Sequence, residues 1–432
     1  MSDARTRVLV DEYFAIERRE LTIGGLSAGR LAEAFGTPLF VYDAGILRRQ
    51  LGALRKSLPG RIEIYYSVKA NPNPAVIAEF VKAGAGLEIA SAGEFLRGRA
   101  AGGVPTRMVF AGPGKTREEL ELVVREGIGE IHVESEEELD LLARLPGAKN
   151  VGVRFNPGPV AAGGALRMGG RPAPFGFDEE RLDEVIGAIR SRPGLRFSGL
   201  HMFAGTQVLD ARVLVAQWRH AVGVARHVAA MTGGPLATLD LGGGLGIPYF
   251  SHETALDLGC LRRAAADLFL ELEQDPSFTD TRFIIEPGRF LAGPAGVYLC
   301  RVLSVKHSRG STFVIVDGGM HHHLAASGNL GQVMKRDFPI VNASRVRAEP
   351  LRASVVVGPL CTPLDTIGRG APLPDMKPGE LVAVLQSGAY GLSASPVGFL
   401  SHPTPAEVLV DGGEAHIIRE RGTFAKPLTP LP

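Results

Sequence analysis

From about residue 61, short apolar runs alternate with stretches whose apolar residues recur every three or four positions. The runs are IEIYYSV (62–68), GLEIA (86–90), RMVFA (107–111), EIHVE (130–134), NVGVRF (150–155), RFSGLHMF (196–203), ATLDLG (237–242) and RFIIEP (282–287). Several are apolar on successive positions, as strands buried on both faces should be. Helices between them carry start signals: Thr116 with Glu119, and Ser135 with Glu138, read as capping boxes. After Asp178, the residues Leu182, Val185, Ile186 and Ile189 form one apolar stripe at helical spacing. Eight runs with intervening helices predict a (β/α)8 barrel, the TIM-barrel architecture. An open, doubly wound sheet competes; the barrel is favoured because chemically suggestive residues follow so many runs, where barrel active sites collect.

After about residue 295 the pattern changes. STFVIVDGG, ASVVVGPLC, ELVAVLQSG and AEVLVDGGEAHIIRE read as strands joined by turns, with little helix between. The expected organisation is therefore a barrel over 37–296 and a β-rich domain built from 8–36 and 297–432. Its length of 432 residues also favours two domains. The Gly/Pro-rich stretch 157–176 interrupts the barrel and is long enough to be a lid or binding loop.

Composition excludes more than it identifies. A net charge of +1 without a basic run gives no reason to expect nucleic acid or an anionic membrane as partner. The N-terminus is charged throughout, unlike a secretory signal, and no apolar stretch is long enough for a membrane span. The cysteines, Cys260, Cys300 and Cys361, are odd in number and far apart, so neither a disulfide framework nor a zinc spacing is present. A reducing, cytoplasmic compartment is the expectation.

Lys69 closes the first run in YYSVKANPNP. A lysine there is either a partly desolvated, nucleophilic amine suited to Schiff-base chemistry or a side chain reaching out from the barrel mouth. Gly242, Gly243, Gly244 and Gly246 follow the seventh run and could let backbone N–H groups approach a phosphate, or simply make a tight turn. They do not spell the dinucleotide fingerprint. Glu286 opens EPGR at the eighth strand end: it could face a protonated pyridine nitrogen, or pair with Arg289 at the rim. Cys361, flanked by apolar residues, reads locally as a core thiol. Of the consecutive His321, His322 and His323, only the first and third would share a face of a strand, and no third ligand is evident; no metal site is expected.

Taken together, YYSVKANPNP, LEIASAGE, HVESEEEL, GLHMFAGTQ, LDLGGGLGI, EPGRFL, VVVGPLC, SGAYG and PAEVLVDGG resemble, in order and over nearly the whole chain, the fold-type III pyridoxal-phosphate (PLP) decarboxylases. That group contains the diaminopimelate and ornithine decarboxylases. The resemblance implies a homodimer with shared active sites, the cysteine loop of one subunit reaching the lysine of the other. It implies that Lys69 holds the cofactor as a Schiff base and that Cys361 returns a proton to the substrate carbon. Gly242, Gly243, Gly244 and Thr206 would bind phosphate, and Glu286 the pyridine nitrogen. Glu88, Arg154, His201, Phe203, Gly288, Arg289 and Tyr390 would line the cofactor. Arg289, His322, Thr362, Asp365, Tyr390 and Phe399 would meet substrate. A racemase of the same fold is disfavoured by Glu286, since racemases place an arginine there. An inactive, decarboxylase-like regulatory protein is disfavoured by the retention of Lys69, Glu286 and Cys361.

This sequence departs from the family pattern in three places. Phe203 stands where a ring-stacking histidine is usual, with His201 two residues earlier. Thr362 follows the cysteine where an acid usually grips a distal amine. The segment DGGMHHHLAASGNLG lacks the Arg-Pro pair that holds the distal end of diaminopimelate. These departures resemble the subgroup of the butirosin-pathway glutamyl-carrier-protein decarboxylase and the exosortase-associated decarboxylases. They imply an amino-acid substrate, free or presented on an acyl carrier protein, in specialised biosynthesis rather than lysine production. Asp365 or the 157–176 segment could still supply a missing charge.

Overall fold

The computed structural model describes residues 4–158, 166–167, 172–330 and 336–431. Eight parallel strands follow one another around a closed barrel: Ile62–Ser67, Gly86–Ile89, Met108–Phe110, Glu130–Val133, Lys149–Asn156, Leu195–Met202, Thr238–Asp240 and Arg282–Ile285. Each coincides with one of the apolar runs. Closure decides against the open sheet, because Phe283 pairs with Ile62 and Ile285 with Ile64, leaving neither end strand as an edge.

The helix Arg117–Arg125 has the full capping box of Thr116 and Glu119. At Ser135 only half the device forms. Its hydroxyl accepts from Glu138 N, but the Glu138 carboxylate turns to the buried Lys115 ammonium at 3.0 Å and to Glu134 N at 2.9 Å. A buried cation needs its carboxylate more than an N–H that water can reach. Leu182, Val185, Ile186 and Ile189 are the buried face of the helix Leu182–Ser191, as the periodicity predicts.

The chain divides into two compact units. The barrel unit comprises Leu51–Ile247 and Ala255–Phe290; the β-rich unit comprises Met1–Gln50, Pro248–Thr254 and Leu291–Pro432. These limits differ from 37–296 and from 8–36 with 297–432. The strand Leu39–Asp43 is buried along its whole length, like a barrel strand, yet it pairs antiparallel with Gly296–Ser308 and parallel with Ala406–Asp411. Local pattern cannot distinguish two fully buried strands; only the distant partners do. The long strand Gly296–Ser308 also pairs with Ser311–Val316 and Leu381–Val384, so it is the spine of the second sheet. Leu39, Val41, Val297, Leu299, Ala383, Val408 and Val410 form its core, joined by Leu9 and Val10 of the helix Ala4–Tyr13.

The segment His321–His323 is a succession of turns, so the face-sharing of a strand does not apply to it. Most of the 157–176 segment lies outside the described residues. No helix among the described residues is long and apolar enough to cross a membrane.

Candidate active site

Within the barrel unit the chemistry gathers at the C-terminal ends of the strands. Lys69 sits in the single turn Val68–Ala70 that caps the first strand. Its amine lies 3.0 and 3.1 Å from the two carboxylate oxygens of Glu88, at the end of the neighbouring strand. Ser67 Oγ donates to Glu88 Oε2 at 2.5 Å, and Glu88 is buried while the Lys69 side chain is 45% exposed. The amine is thus held by a buried anion at an accessible position. The following Asn residues fix the chain that carries it. Asn71 Oδ1 accepts from Asn73 N, and Asn73 caps the helix Pro74–Lys82. Glu94 accepts from Ala90 N at 2.7 Å, and burial together with the Glu88 charge pushes its carboxyl up to about 7.

After the seventh strand, Gly242 and Gly244 adopt φ of +72° and +95°, a region that L side chains rarely enter. A Cβ at Gly243 would lie 2.5 Å from Glu286 O, and one at Gly244 2.8 Å from Gly205 O. The glycines therefore let this loop press against both neighbouring strand ends. Thr206 lies beside it on the short strand Gly205–Thr206, which pairs with Leu166–Arg167. Gly288 has a similar use: a Cβ there would sit 2.8 Å from Ala70 Cβ, so its absence brings the EPGR segment against the Lys69 turn.

Behind this rim lies a buried polar cluster. One donor atom each from His132, His201, Asp240 and Glu286 falls within 4.8 Å of the others. His201 Nε2 is 3.2 Å from Glu286 Oε2, and its Nδ1 is 3.0 Å from His132 Nδ1. Asp240 Oδ1 accepts from Gly242 N at 2.8 Å. Burial and the adjacent Glu286 charge raise the Asp240 carboxyl far above its ordinary range. Burial opposes ionisation of Glu286 too, but His201, Lys69 and a hydrogen bond from Asp240 hold it below the usual carboxylate range. Asp240 thus keeps the proton and Glu286 the charge. Glu286 Oε1 is buried without a hydrogen-bond partner.

Arg154 donates to Glu134 at 2.8 Å, and its guanidinium lies 5.2 Å from the ring centre of Phe175 and 5.9 Å from that of Phe203. Glu134 also accepts from Gly112 N and Gly176 N, so it fixes that cation. Arg289 begins the short helix Arg289–Ala292. His201, expected to line the cofactor, directs its ring nitrogens at His132 and Glu286.

The remaining predicted residues belong to the β-rich unit. Cys361 is an exposed free thiol in a turn, not the core residue its apolar neighbours suggest. Thr362 beside it is half-buried, and its hydroxyl accepts from Leu364 N. Asp365 departs from expectation. It is 2% exposed, and its two oxygens accept from Met320 N at 2.6 Å and Leu360 N at 2.9 Å, so it ties loops together instead of facing solvent. His322 is likewise buried: Nε2 donates to Pro403 O at 3.1 Å and Nδ1 faces Tyr298 OH at 3.2 Å. His323 is engaged by Ser387 Oγ and Ala326 N. Tyr390 is half-buried with φ +54°, and Phe399 is partly exposed.

Comparison with known proteins connects these features. Residues 44–293 match the pyridoxal-binding domain of the pyridoxal-dependent decarboxylases. The chain belongs to this family. The decarboxylase is 42% identical to the L-glutamyl-[BtrI acyl-carrier protein] decarboxylase of Niallia circulans, over 91% of this chain and 93% of that one. It is 32% identical to the diaminopimelate decarboxylase of Aquifex aeolicus, over 95% and 96% of the two chains. Among solved structures, the M. jannaschii diaminopimelate decarboxylase in complex with L-lysine superposes with a TM-score of 0.86 at 26% identity, over 96% of each chain. The protein is accordingly a PLP-dependent carboxy-lyase. The residues present suit that cofactor: an accessible lysine amine, a glycine cradle for phosphate and a buried carboxylate oxygen with no partner of its own.

Sequence reasoning passed over Ser67, Glu94, Glu130, His132, Glu134 and Asp240. A signal was available for three of them. Glu130, His132 and Asp240 are polar residues inside apolar strands, where a buried polar group needs a partner or a task.

Proposed function

We propose that this enzyme decarboxylates a glutamate-like amino acid carried as a thioester on an acyl carrier protein, as a cytoplasmic homodimer. The observation that carries this reading is the commitment of Asp365. With both oxygens capped by backbone N–H groups and Thr362 offering only a hydroxyl, the described residues around Cys361 present no carboxylate to a distal ammonium. A buried ammonium left unpaired costs several kcal/mol, on the order of 3–5. A distal group that is neutral, such as an acyl thioester, meets no such penalty. The name of the 42%-identical relative supports the same substrate class.

In this reading Lys69 holds the cofactor, Gly242–Gly244 with Thr206 hold its phosphate, and Glu286 Oε1 accepts from the ring nitrogen. Bound PLP supplies an electron sink for the bond to the departing carboxylate. Phe203, with the Arg154 guanidinium 5.9 Å from its ring centre, would pack against the cofactor. Glu88 and Ser67 orient the lysine amine. Cys361 donates a proton to the substrate α-carbon. The exposure of Cys361, Leu364 and Leu400 suits a surface covered by a second subunit, with each Cys361 serving the partner subunit's Lys69. Asp365 and His322 position their loops and do not touch substrate.

The test compares carbon dioxide release from free glutamate, glutamyl-carrier protein and diaminopimelate by specificity constant. Preference for the carrier-bound substrate is expected. Efficient turnover of diaminopimelate would overturn the substrate assignment and favour the lysine-pathway reading.

A further inference from the structure

The cluster beneath Glu286 continues into the barrel interior. His132 Nε2 lies 3.4 Å from Glu130 Oε1, and Glu130 Oε2 lies 3.5 Å from Arg282. Glu130, His132, His201 and Glu286 thus form an unbroken line, all four side chains 4% exposed or less. Room for the inner pair comes from Gly152, where a Cβ would sit 2.5 Å from Glu130 Oε1 and 2.7 Å from the His132 ring. The closest contacts at the two ends are near approaches, not yet aligned hydrogen bonds: Glu130 Oε1, His132 Nε2 and His201 Nε2 have no other partner.

Counting protons along this line limits its states. The two Nδ1 atoms face each other at 3.0 Å, so one of them must carry a hydrogen. Each Nε2 faces a carboxylate oxygen and must also carry a hydrogen if that carboxylate is ionised. Two neutral imidazoles have only two ring protons for these three positions. One end would then set a lone pair against a carboxylate in a site closed to bulk solvent.

We propose that His132 and His201 share one extra proton, three on four ring nitrogens, and that this buried cationic pair keeps Glu286 ionised toward the cofactor's ring nitrogen. The inference rests on the role given to Glu286 above, and it makes His132 and Glu130 positioning residues for that carboxylate. The charged and titratable groups around the line are few. Arg282 and Thr238 join His132 in holding Glu130 below the ordinary carboxylate range against the effect of burial. Arg154 lies near His201; Asp240 and Lys69 face Glu286. Burial, joined by His132 and Arg154, outweighs the pull of Glu286 and brings His201 taken singly down to about 4, so the extra proton rests on the geometry of the pair and needs both flanking carboxylates charged. The line therefore couples the charge of Glu286 to that of Glu130 across the barrel.

Two measurements on the full-length protein test this. In the first, 15N spectra of histidine-labelled protein at neutral pH count the protonated nitrogens of the pair, in wild type and in Glu130→Gln. Wild type should show three. In the variant the amide can donate to His132 Nε2, so two suffice and Glu286 stays satisfied; the count should fall to two. Two in wild type, or three in the variant, would overturn the proposal. In the second, His132→Leu is titrated with pyridoxal phosphate and with its 1-deaza analogue, which lacks the ring nitrogen. Affinity for pyridoxal phosphate should fall about tenfold, the scale of a lost buried charge-assisted hydrogen bond, while that for the analogue is unchanged. Equal loss for both ligands would mark His132 as merely structural. Wild type binding both ligands equally would instead refute the role of Glu286. If His132→Leu does not fold, the Glu130→Gln count decides alone.

Discussion

Lys69 and Glu88 form an ion pair across adjacent barrel strands in which the acid is buried and the amine is half exposed. The asymmetry means that removing the lysine strands a carboxylate that water cannot fully reach. Lys69→Ala should abolish the visible absorbance of bound cofactor and reduce turnover by about three orders of magnitude. It should also lower the stability of the cofactor-free protein by about 1–2 kcal/mol, a figure reduced for solvent screening of the exposed amine. Urea unfolding checks the second effect. Adding Glu88→Gln should recover most of the loss, because the amide carries no charge to strand.

Glu94 gives a pH dependence with a defined sign. Its carboxyl is raised to about 7 by burial and by the Glu88 charge. Between its ordinary value and about 7 the folded protein holds a proton that the unfolded chain has released. Its contribution is therefore fully present at low pH and is lost as pH rises toward 7. Glu94→Gln should remove this slope and make the protein about 1–3 kcal/mol more stable than wild type at pH 8, with little difference near pH 4. Melting temperatures across that range provide the measurement.

Asp365 joins the Cys361 turn to the segment around Met320 through two backbone hydrogen bonds. Asp365→Ala should cost about 2–4 kcal/mol, since it leaves two buried N–H groups without acceptors. Turnover should fall while the cofactor absorbance stays normal, because the damage lies in the β-rich unit. Asp365→Asn keeps one acceptor and should be intermediate in both respects. Loss of cofactor in either variant would contradict the assignment of Asp365 to that loop alone.

Cys361→Ala should reduce product formation by about two orders of magnitude, the usual scale for removing a positioned acid, and leave cofactor binding intact. Mixing it with inactive Lys69→Ala protein under subunit exchange should restore activity. A shared-site dimer predicts recovery to roughly a quarter of wild type, as half the dimers are mixed and each contains one intact site. No recovery, with exchange verified by mass, would place both residues of a site on the same chain.

The barrel was legible because its signal is local. Each strand is a short run that must be apolar on both faces, and each helix announces itself by period and cap. Lys69, the glycines at 242–244 and Glu286 were legible for a related reason: each directly follows such a run, and strand ends are where a barrel presents its chemistry. The resemblance to a family added roles that spacing left open, and the comparisons established the family itself.

What only the tertiary structure decided depends on partners remote in sequence. The run at Leu39–Asp43 reads like a barrel strand, but its pairing with Gly296–Ser308 and Ala406–Asp411 assigns it to the other unit. The carboxylate of Asp365 looks available to a substrate until Met320 N and Leu360 N are found occupying it. Glu130, His132, His201, Asp240 and Glu286 come from four different strands or strand ends, and nothing in their separate segments announces a cluster. Sequence determines which side chains a strand turns inward. Which inward groups meet, out of reach of bulk solvent, is fixed only when the barrel closes.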